Sequence, residues 1–413
     1  MKATRIFSAF FTVIMLLTLL TAAPPVFALE SGWEIDYSDY DWTRLAGDNV
    51  TLNVYNWGEY MSLDGGDGEF DVNGEFEKLT GIKVNYTNFA SNEELYAKLH
   101  SGGSTYDILI PSDYMIGRLI DEGLLEKLDF DNIPNFGNVF DIYKSPEYDP
   151  ANEYSVPYLS GIIGIVYNTT LVDKDDDVET WDILWDEKYA NNILMFSNSR
   201  DAFMISCFRL GYSPNTTDEN ELRAAAEELK KQKLLVQAYV MDEIYDKMGG
   251  GEAALAPYYN GDAAAMIADN PDLAFAIPRE GTNHFVDAFC IPKGSKNKEA
   301  AEIYINFLCE TLVALKNSQF VGYMTPVKTA YEALTPEQQA NTMVYPSDEI
   351  LKNTVTYTTL SPAAKNLIDS LWTEILSEVG ASPWMTPVVL IAAVGISLWI
   401  NIRRYVKKKT ATN

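Results

Sequence analysis

The sequence predicts an α/β protein built on a largely parallel sheet. Two observations carry that expectation. Apolar runs of strand length alternate with amphipathic stretches of helix length, and glycine or a capping residue marks most of the junctions. A third, the 413-residue length with 47% hydrophobic residues, allows a sizeable core and two or three domains.

Along the chain, Thr51 to Tyr55 alternates as a strand does, and Asp64 to Gly68 is a glycine-rich loop. Asp71 to Thr80 reads as a helix that Gly81 stops. Ile82 to Phe89 is a strand, Asn92 to His100 a helix, Tyr106 to Ile110 a short buried strand, and Tyr114 to Asp121 a helix halted by Gly123. A second unit begins near Gly161. Ile162 to Tyr167 and Ile193 to Phe196 are its strands, Ala202 to Leu210 and Thr217 to Gln232 its helices, the last strongly amphipathic. Ala263 to Ala268 and Ala274 to Ile277 read as further strands. Asp287 to Ile291 starts a return to the first unit, and Lys298 to Leu308 and Ser361 to Glu378 read as helices. No internal repeat is visible.

Charge is unevenly placed. The chain holds 31 Lys and Arg against 59 Asp and Glu, a net charge of −28. Lys2 and Arg5 precede the uncharged run Ile6 to Leu20, a Pro24-Pro25 break and Val26-Phe27-Ala28, the layout of a secretory signal peptide cleaved after Ala28. No Cys follows that run, so lipid attachment there is not expected. At the other end, residues 384–402 carry no charge and are long enough to span a bilayer core, with Trp384 and Trp399 at interfacial positions. Arg403, Arg404 and Lys407 to Lys409 follow, which places the C-terminus in the cytoplasm. Residues 1–28 and 384–413 contain seven Lys and Arg and no acid, so the part between them carries 24 bases against 59 acids, or −35. Such a surface disfavours nucleic acid and anionic lipid as partners and favours cationic ones, besides supplying solubility. With His100 and His284 the only histidines, and Cys207, Cys290 and Cys309 far apart, neither a zinc centre nor a Ser/His/Asp triad is indicated. No cofactor or metal is expected. The cysteines lie in apolar stretches, which suits buried free thiols.

Short motifs then accumulate in order: Tyr55 to Tyr60 (YNWGEY), Glu77 to Val84 (EKLTGIKV), Ser91-Asn92-Glu93 with Tyr96 to Leu99, and Tyr106-Asp107 followed by Pro111 to Tyr114. Tyr154 to Tyr158, Arg209 to Tyr212, Asn215 to Asp218, Lys296 to Glu299 and Gly322-Tyr323 with Thr325-Pro326 continue the series. In this the chain resembles the spermidine/putrescine-binding proteins of polyamine ABC importers, an extracellular solute-binding family, over about residues 50–378. The resemblance implies a two-lobed, periplasmic-binding-protein-like (type II) fold with the ligand in a cleft between lobes joined by two crossings. Residues 50–162 and 285–331 would form the first lobe, and 163–284 and 332–380 the second. Residues 1–28 are then the signal peptide, 29–49 a linker, 384–402 the transmembrane helix and 403–413 a basic tail. The implied product is a monomeric, membrane-anchored receptor outside the cell membrane, in the periplasm or at the surface. It would hand a polyamine to permease subunits without catalysis.

A polyamine is a methylene chain bearing two or more ammonium groups, so its site needs carboxylates for the charges and aromatic faces for the chain. The resemblance places Trp57 and Tyr60 at aromatic wall positions, with Glu59 a polar contact between them. Ser112 and Tyr114 fall on the loop after the third strand, Asp287 on the carboxylate that grips an ammonium, and Tyr323 on a further aromatic. Tyr259 and Phe285 stand where spermidine-binding members have Trp. Asn198 replaces a carboxylate, Asp201 a Glu, and Tyr357 falls near a position held by Gln. Aromatic character is kept while one acidic charge is lost, which leads us to expect putrescine to bind at least as well as spermidine. The residues taken alone leave two other readings: a receptor for an amino acid or sugar, since sugars also stack on aromatics, and a surface hydrolase using paired carboxylates. An adhesive or sensory tether without a permease is a third.

Overall fold

Strand β1 (Thr51–Trp57) buries Leu52, Val54 and Tyr55 and pairs in parallel with β2 (Lys83–Phe89) along its whole length. Its other side pairs, also in parallel, with β3 (Ile108–Leu109). The computed structural model describes residues 40–63, 70–102 and 105–377. Three helices make the returns. In α1 (Val72–Thr80) the Asp71 carboxylate caps the N-terminus by accepting from the Gly74 N–H, and Gly81 ends the helix at φ 75°, a left-handed conformation that glycine adopts without strain. Helix α2 (Asn92–His100) is capped by the Ser91 hydroxyl, and α3 (Asp113–Asp121) follows β3.

Strand β4 (Ser155–Asn168) is almost wholly buried. After it come β5 (Ile193–Phe196), α4 (Ser199–Arg209), α5 (Glu219–Lys233), β6 (Val236–Val240), α6 (Ile244–Gly249), β7 (Leu255–Tyr259), α7 (Asn260–Asp269), β8 (Leu273–Ala276) and β9 (Thr282–Cys290). Helices α8 (Lys298–Leu308) and α9 (Thr311–Val321), the short strand β10 (Thr354–Val355) and α10 (Pro362–Ser377) complete the described chain, with short helical turns between them.

The strand order is β2-β1-β3-β9-β4-β7-β5-β6, with β10 beside β9 and β8 beside β4. Strands β4 and β9 run side by side, antiparallel, at the centre of this path. The first half of β4 pairs with β9, from Ser155 opposite Cys290 to Ile162 opposite His284. Its second half pairs with β7 and β8. In the outer half, β5 is parallel to both β6 and β7. Helix α5 covers this half with Leu222, Ala225, Ala226 and Leu229. It is started by the Asp218 carboxylate and closed by Lys230, Lys231 and Lys233, cations suited to a helix C-terminus. Helix α10 packs beside it, and its Trp372 ring meets Tyr239 of β6 and Phe203 of α4 edge-on.

Several expectations need correction. The sheet is mixed rather than largely parallel, because β4 and β9 separate two parallel sets. Ala263 to Ala268 is helical, within α7, not a strand. The run is alanine-rich, which favours helix, and an apolar run this short carries no decisive periodicity. The second unit does not start with a new strand near Gly161, since β4 passes through that point unbroken. Residues 40–48, read as part of a linker, pack against the body: Trp42 is buried beside Phe307, and Arg44 pairs with Glu299. The acidic run 173–179 is partly neutralised by Lys188 and Arg279. The cysteines are as expected: all three are free and buried. The proposed signal peptide and membrane span lie outside the described residues. Among those described, no helix is long and apolar enough to cross a membrane.

Candidate functional site

Two sets of three parallel strands, β1 to β3 and β5 to β7, end at one place. Trp57 closes β1 and Gly58 to Tyr60 follow it, Phe89 closes β2 and Ala90 to Asn92 follow it, Ser112 follows β3, Asn198 to Asp201 follow β5, Asp242 follows β6, and Tyr259 closes β7. Residues from all six segments line an open cavity of about 730 Å³, joined by Phe285 and Asp287 of β9. The carboxyl ends of parallel strands are where open α/β sheets hold ligands, because the loops there diverge. All twelve residues singled out from the sequence line this one cavity: Trp57, Glu59, Tyr60, Ser112, Tyr114, Asn198, Asp201, Tyr259, Phe285, Asp287, Tyr323 and Tyr357.

Three carboxylates organise it, Asp201 and Asp287 buried and Asp262 half-buried, each held by phenol hydroxyls. Asp201, in the first turn of α4, accepts from Tyr259 at 2.6 Å, from Tyr357 at 2.8 Å and from the Asn198 amide at 2.9 Å. Asp287 accepts from Tyr60 at 2.7 Å, while its Oδ1 has no hydrogen bond among the described residues. Asp262, in the first turn of α7, accepts from Tyr245 at 2.7 Å and Tyr323 at 2.8 Å. Burial pushes all three carboxyls up to about 6, since it penalises the charged form. Behind them Asp113 is more deeply shielded, and burial lifts it to about 8 against the backbone N–H groups of Tyr114 and Val286 that its two oxygens accept. The bonds on the three carboxylates come from neutral donors; the buried Arg200 offsets part of the charge on Asp201, and the charge on Asp262 and Asp287 stays available to a cation in the cavity.

The aromatic wall is continuous. Tyr60 lies 5.1 Å from Tyr323, Tyr323 lies 6.0 Å from Phe285, and Phe285 lies 5.5 Å from Tyr259, all ring centre to ring centre and edge-to-face. Trp57 leans on Phe89 at 4.5 Å. Tyr114 meets Tyr357 edge-on and donates its hydroxyl to Glu93. Gly261 makes the seat for Tyr323: a Cβ there would lie 2.3 Å from the ring. Glu59 is at φ 46°, a left-handed conformation that costs a non-glycine residue energy and holds it at the rim of the cavity.

Two residues have placements that their neighbours in sequence do not reveal. Asp287 is not at a strand end. It lies inside β9 opposite Leu159, where the β4/β9 register slips, and bridges to Ser112. Ser112 occupies the N-cap position of α3 but makes no side-chain cap bond. Missed from the sequence were Asp262, Tyr245, Asp242, Phe89 and Asn92. The first matters most, because Asp262 restores the acidic charge counted as lost at Asn198. Had the segment after Tyr259 been read as a helix, Asp262 would have stood in its first turn, facing the same loop.

Residues 74–345 match the family of bacterial extracellular solute-binding proteins. The chain belongs to that family. This solute-binding protein is 36% identical over 307 residues to the spermidine/putrescine-binding periplasmic protein of Salmonella typhimurium, covering 74% of this chain and 86% of that one. It is 30% identical over 349 residues to a putrescine-binding periplasmic protein of Pseudomonas aeruginosa, covering 80% and 93%. Among solved structures it is similar to a putative spermidine/putrescine ABC transporter protein of Listeria monocytogenes, at 36% identity and a TM-score of 0.76, covering 80% of this chain and all of that one. A spermidine/putrescine transporter substrate-binding protein of Streptococcus pneumoniae matches at 35% identity and a TM-score of 0.67, covering 79% and 98%. The fold is thus that of periplasmic-binding proteins, and the protein is a receptor rather than an enzyme.

Proposed function

We propose that this solute-binding protein captures a polyamine, spermidine or putrescine, and delivers it to the permease of an ABC importer. The observation that carries the reading is the set of three carboxylates, Asp201 and Asp287 buried and Asp262 half-buried, held by neutral donors inside an aromatic-walled cavity. A neutral sugar would leave those charges buried and uncompensated, which is costly, whereas ammonium groups neutralise them. The methylene chain between the ammoniums suits the faces of Trp57, Tyr259, Phe285 and Tyr323, with cation–π contacts of roughly 0.5–2 kcal/mol each. The names of the similar proteins agree with this choice.

Residues 50–162 with 285–331, and 163–284 with 332–380, serve as the two lobes. Ligand contacts from both favour the closed form. Outside the described residues, 1–28 act as the export signal and 384–402 as the membrane anchor. Isothermal titration of the purified protein with putrescine, spermidine, glutamate, arginine and glucose tests the proposal. Saturable binding of a polyamine is expected, and binding of the sugar or an amino acid with no polyamine response would overturn it.

A further inference from the structure

The cavity occupies the carboxyl ends of β5, β6 and β7, so the opposite pole of this half holds their amino ends. The last turn of α5, which leads directly into β6, lies at that pole. So does the loop after β4, because the end of β4 pairs with the start of β7, Tyr167 opposite Leu255. Among the described residues five large hydrophobic side chains are exposed, and three of them sit here: Leu171, Leu234 and Leu376. Leu234 is 68% exposed at the end of α5. Leu376, near the end of α10, joins it through the neighbouring Lys233, whose ammonium reaches the Leu376 carbonyl at 2.9 Å. Four strands, β4-β7-β5-β6, span the pole from Leu171 to Leu234, a width of about 14 Å at ordinary strand spacing.

The described chain also ends at this pole, at Ser377. Only residues 378–383 separate it from the uncharged run 384–402, and six residues reach at most about 20 Å. On an otherwise acidic protein, this end is flanked by the lysines of the last α5 turn, Lys230, Lys231 and Lys233. Nearby acids are engaged: Glu228 by Lys231, Glu374 by Lys230, and Asp173 and Asp176 by Lys188. The lysines are themselves paired, Lys230 with Glu227 and Glu374 and Lys231 with Glu228, so the patch is close to neutral, and it is the exposed leucines beside the lysine stems that suit insertion into a headgroup layer.

We infer that this pole, marked by Leu234, Leu376 and the end of α5, rests on the lipid headgroup layer and holds the cavity mouth away from the membrane. The inference rests on the proposed anchoring by 384–402. A short tether makes a weak contact sufficient, because it raises the local concentration of the surface against the bilayer. Delivery to a permease then requires the anchored receptor to turn its cavity toward the membrane.

Single nitroxide labels on the full chain test the orientation, since Cys207, Cys290 and Cys309 are buried and do not compete. Leu234→Cys, Leu376→Cys and, as a control on the other half, Ile142→Cys are reconstituted into phosphatidylcholine vesicles containing phosphatidylglycerol. Collision with oxygen, which concentrates in lipid, is compared with collision with a water-soluble nickel chelate. The labels at 234 and 376 should show a several-fold shift toward oxygen relative to 142, and Leu234→Glu should remove the shift at 376 while polyamine binding stays intact. Protein that floats with the vesicles after alkaline extraction but keeps water-like labels at 234 and 376 overturns the orientation alone. Protein that no longer floats overturns the anchoring and the orientation together, and leaves polyamine binding to be judged by titration.

Discussion

Replacing Asp287 with Asn should move ligand affinity and protein stability in opposite directions. The wild-type carboxyl sits at about 6 in the folded protein against an ordinary value of 3.8. Between those values the folded state binds more protons than the unfolded one, so the stability of the ligand-free protein falls as pH rises through that window and stays lower above it. Two pKa units correspond to about 3 kcal/mol at pH 7.5. Asn never ionises, and its carbonyl can still accept the Tyr60 hydroxyl, so the ligand-free variant should be more stable by up to about 3 kcal/mol at pH 7.5, with the difference vanishing near pH 4. Meanwhile an ammonium that loses its buried carboxylate loses roughly 2–5 kcal/mol, or a factor of about 30 to several thousand in Kd. Chemical denaturation at pH 7.5 and 4, paired with calorimetric titration of putrescine and spermidine, measures both. A variant that is less stable than wild type at pH 7.5, or that binds polyamine within threefold of it, refutes the reasoning.

Polyamine affinity should rise with pH: ligand binding needs Asp201, Asp262 and Asp287 ionised, and each sits at about 6. Kd should therefore fall by roughly one to three orders of magnitude between pH 5 and 7.5, read by titration in matched buffers. Asp262→Asn should weaken spermidine more than putrescine, because a triamine has a third charge to place; equal losses would show that Asp262 only orients Tyr245 and Tyr323. Gly261→Ala should push Tyr323 off its seat and destabilise the protein by roughly 1–3 kcal/mol. A melting curve unchanged from wild type would count against that close contact.

Much of the first half was legible because its signals are local. Gly81 and Ser91 bound their helices by backbone conformation and capping, which neighbouring residues decide. The course of β4 was not, because its buried run satisfies any apolar pattern and its pairing changes partway from β9 to β7. Site residues placed through motif resemblance converge on one cavity, yet Asp262 escaped. Its part depends on Tyr245 and Tyr323, hydroxyls distant in sequence that only the folded chain brings to it. The same holds for Asp287, whose place inside β9 follows from a register slip rather than from its neighbours.

The central position of β9 also bears on how the protein is made. Strand β3 has β1 on one side, and its other edge is closed only by β9, through Leu109 and Cys290. As the chain emerges, β1, β2 and β3 can assemble early, but their edge must wait for Cys290. At ribosomal speeds that is an interval of roughly ten to forty seconds. An open strand edge is an invitation to wrong pairing. Holding the nascent chain unfolded until residue 290 has passed avoids it, which is what transit through an export channel would accomplish.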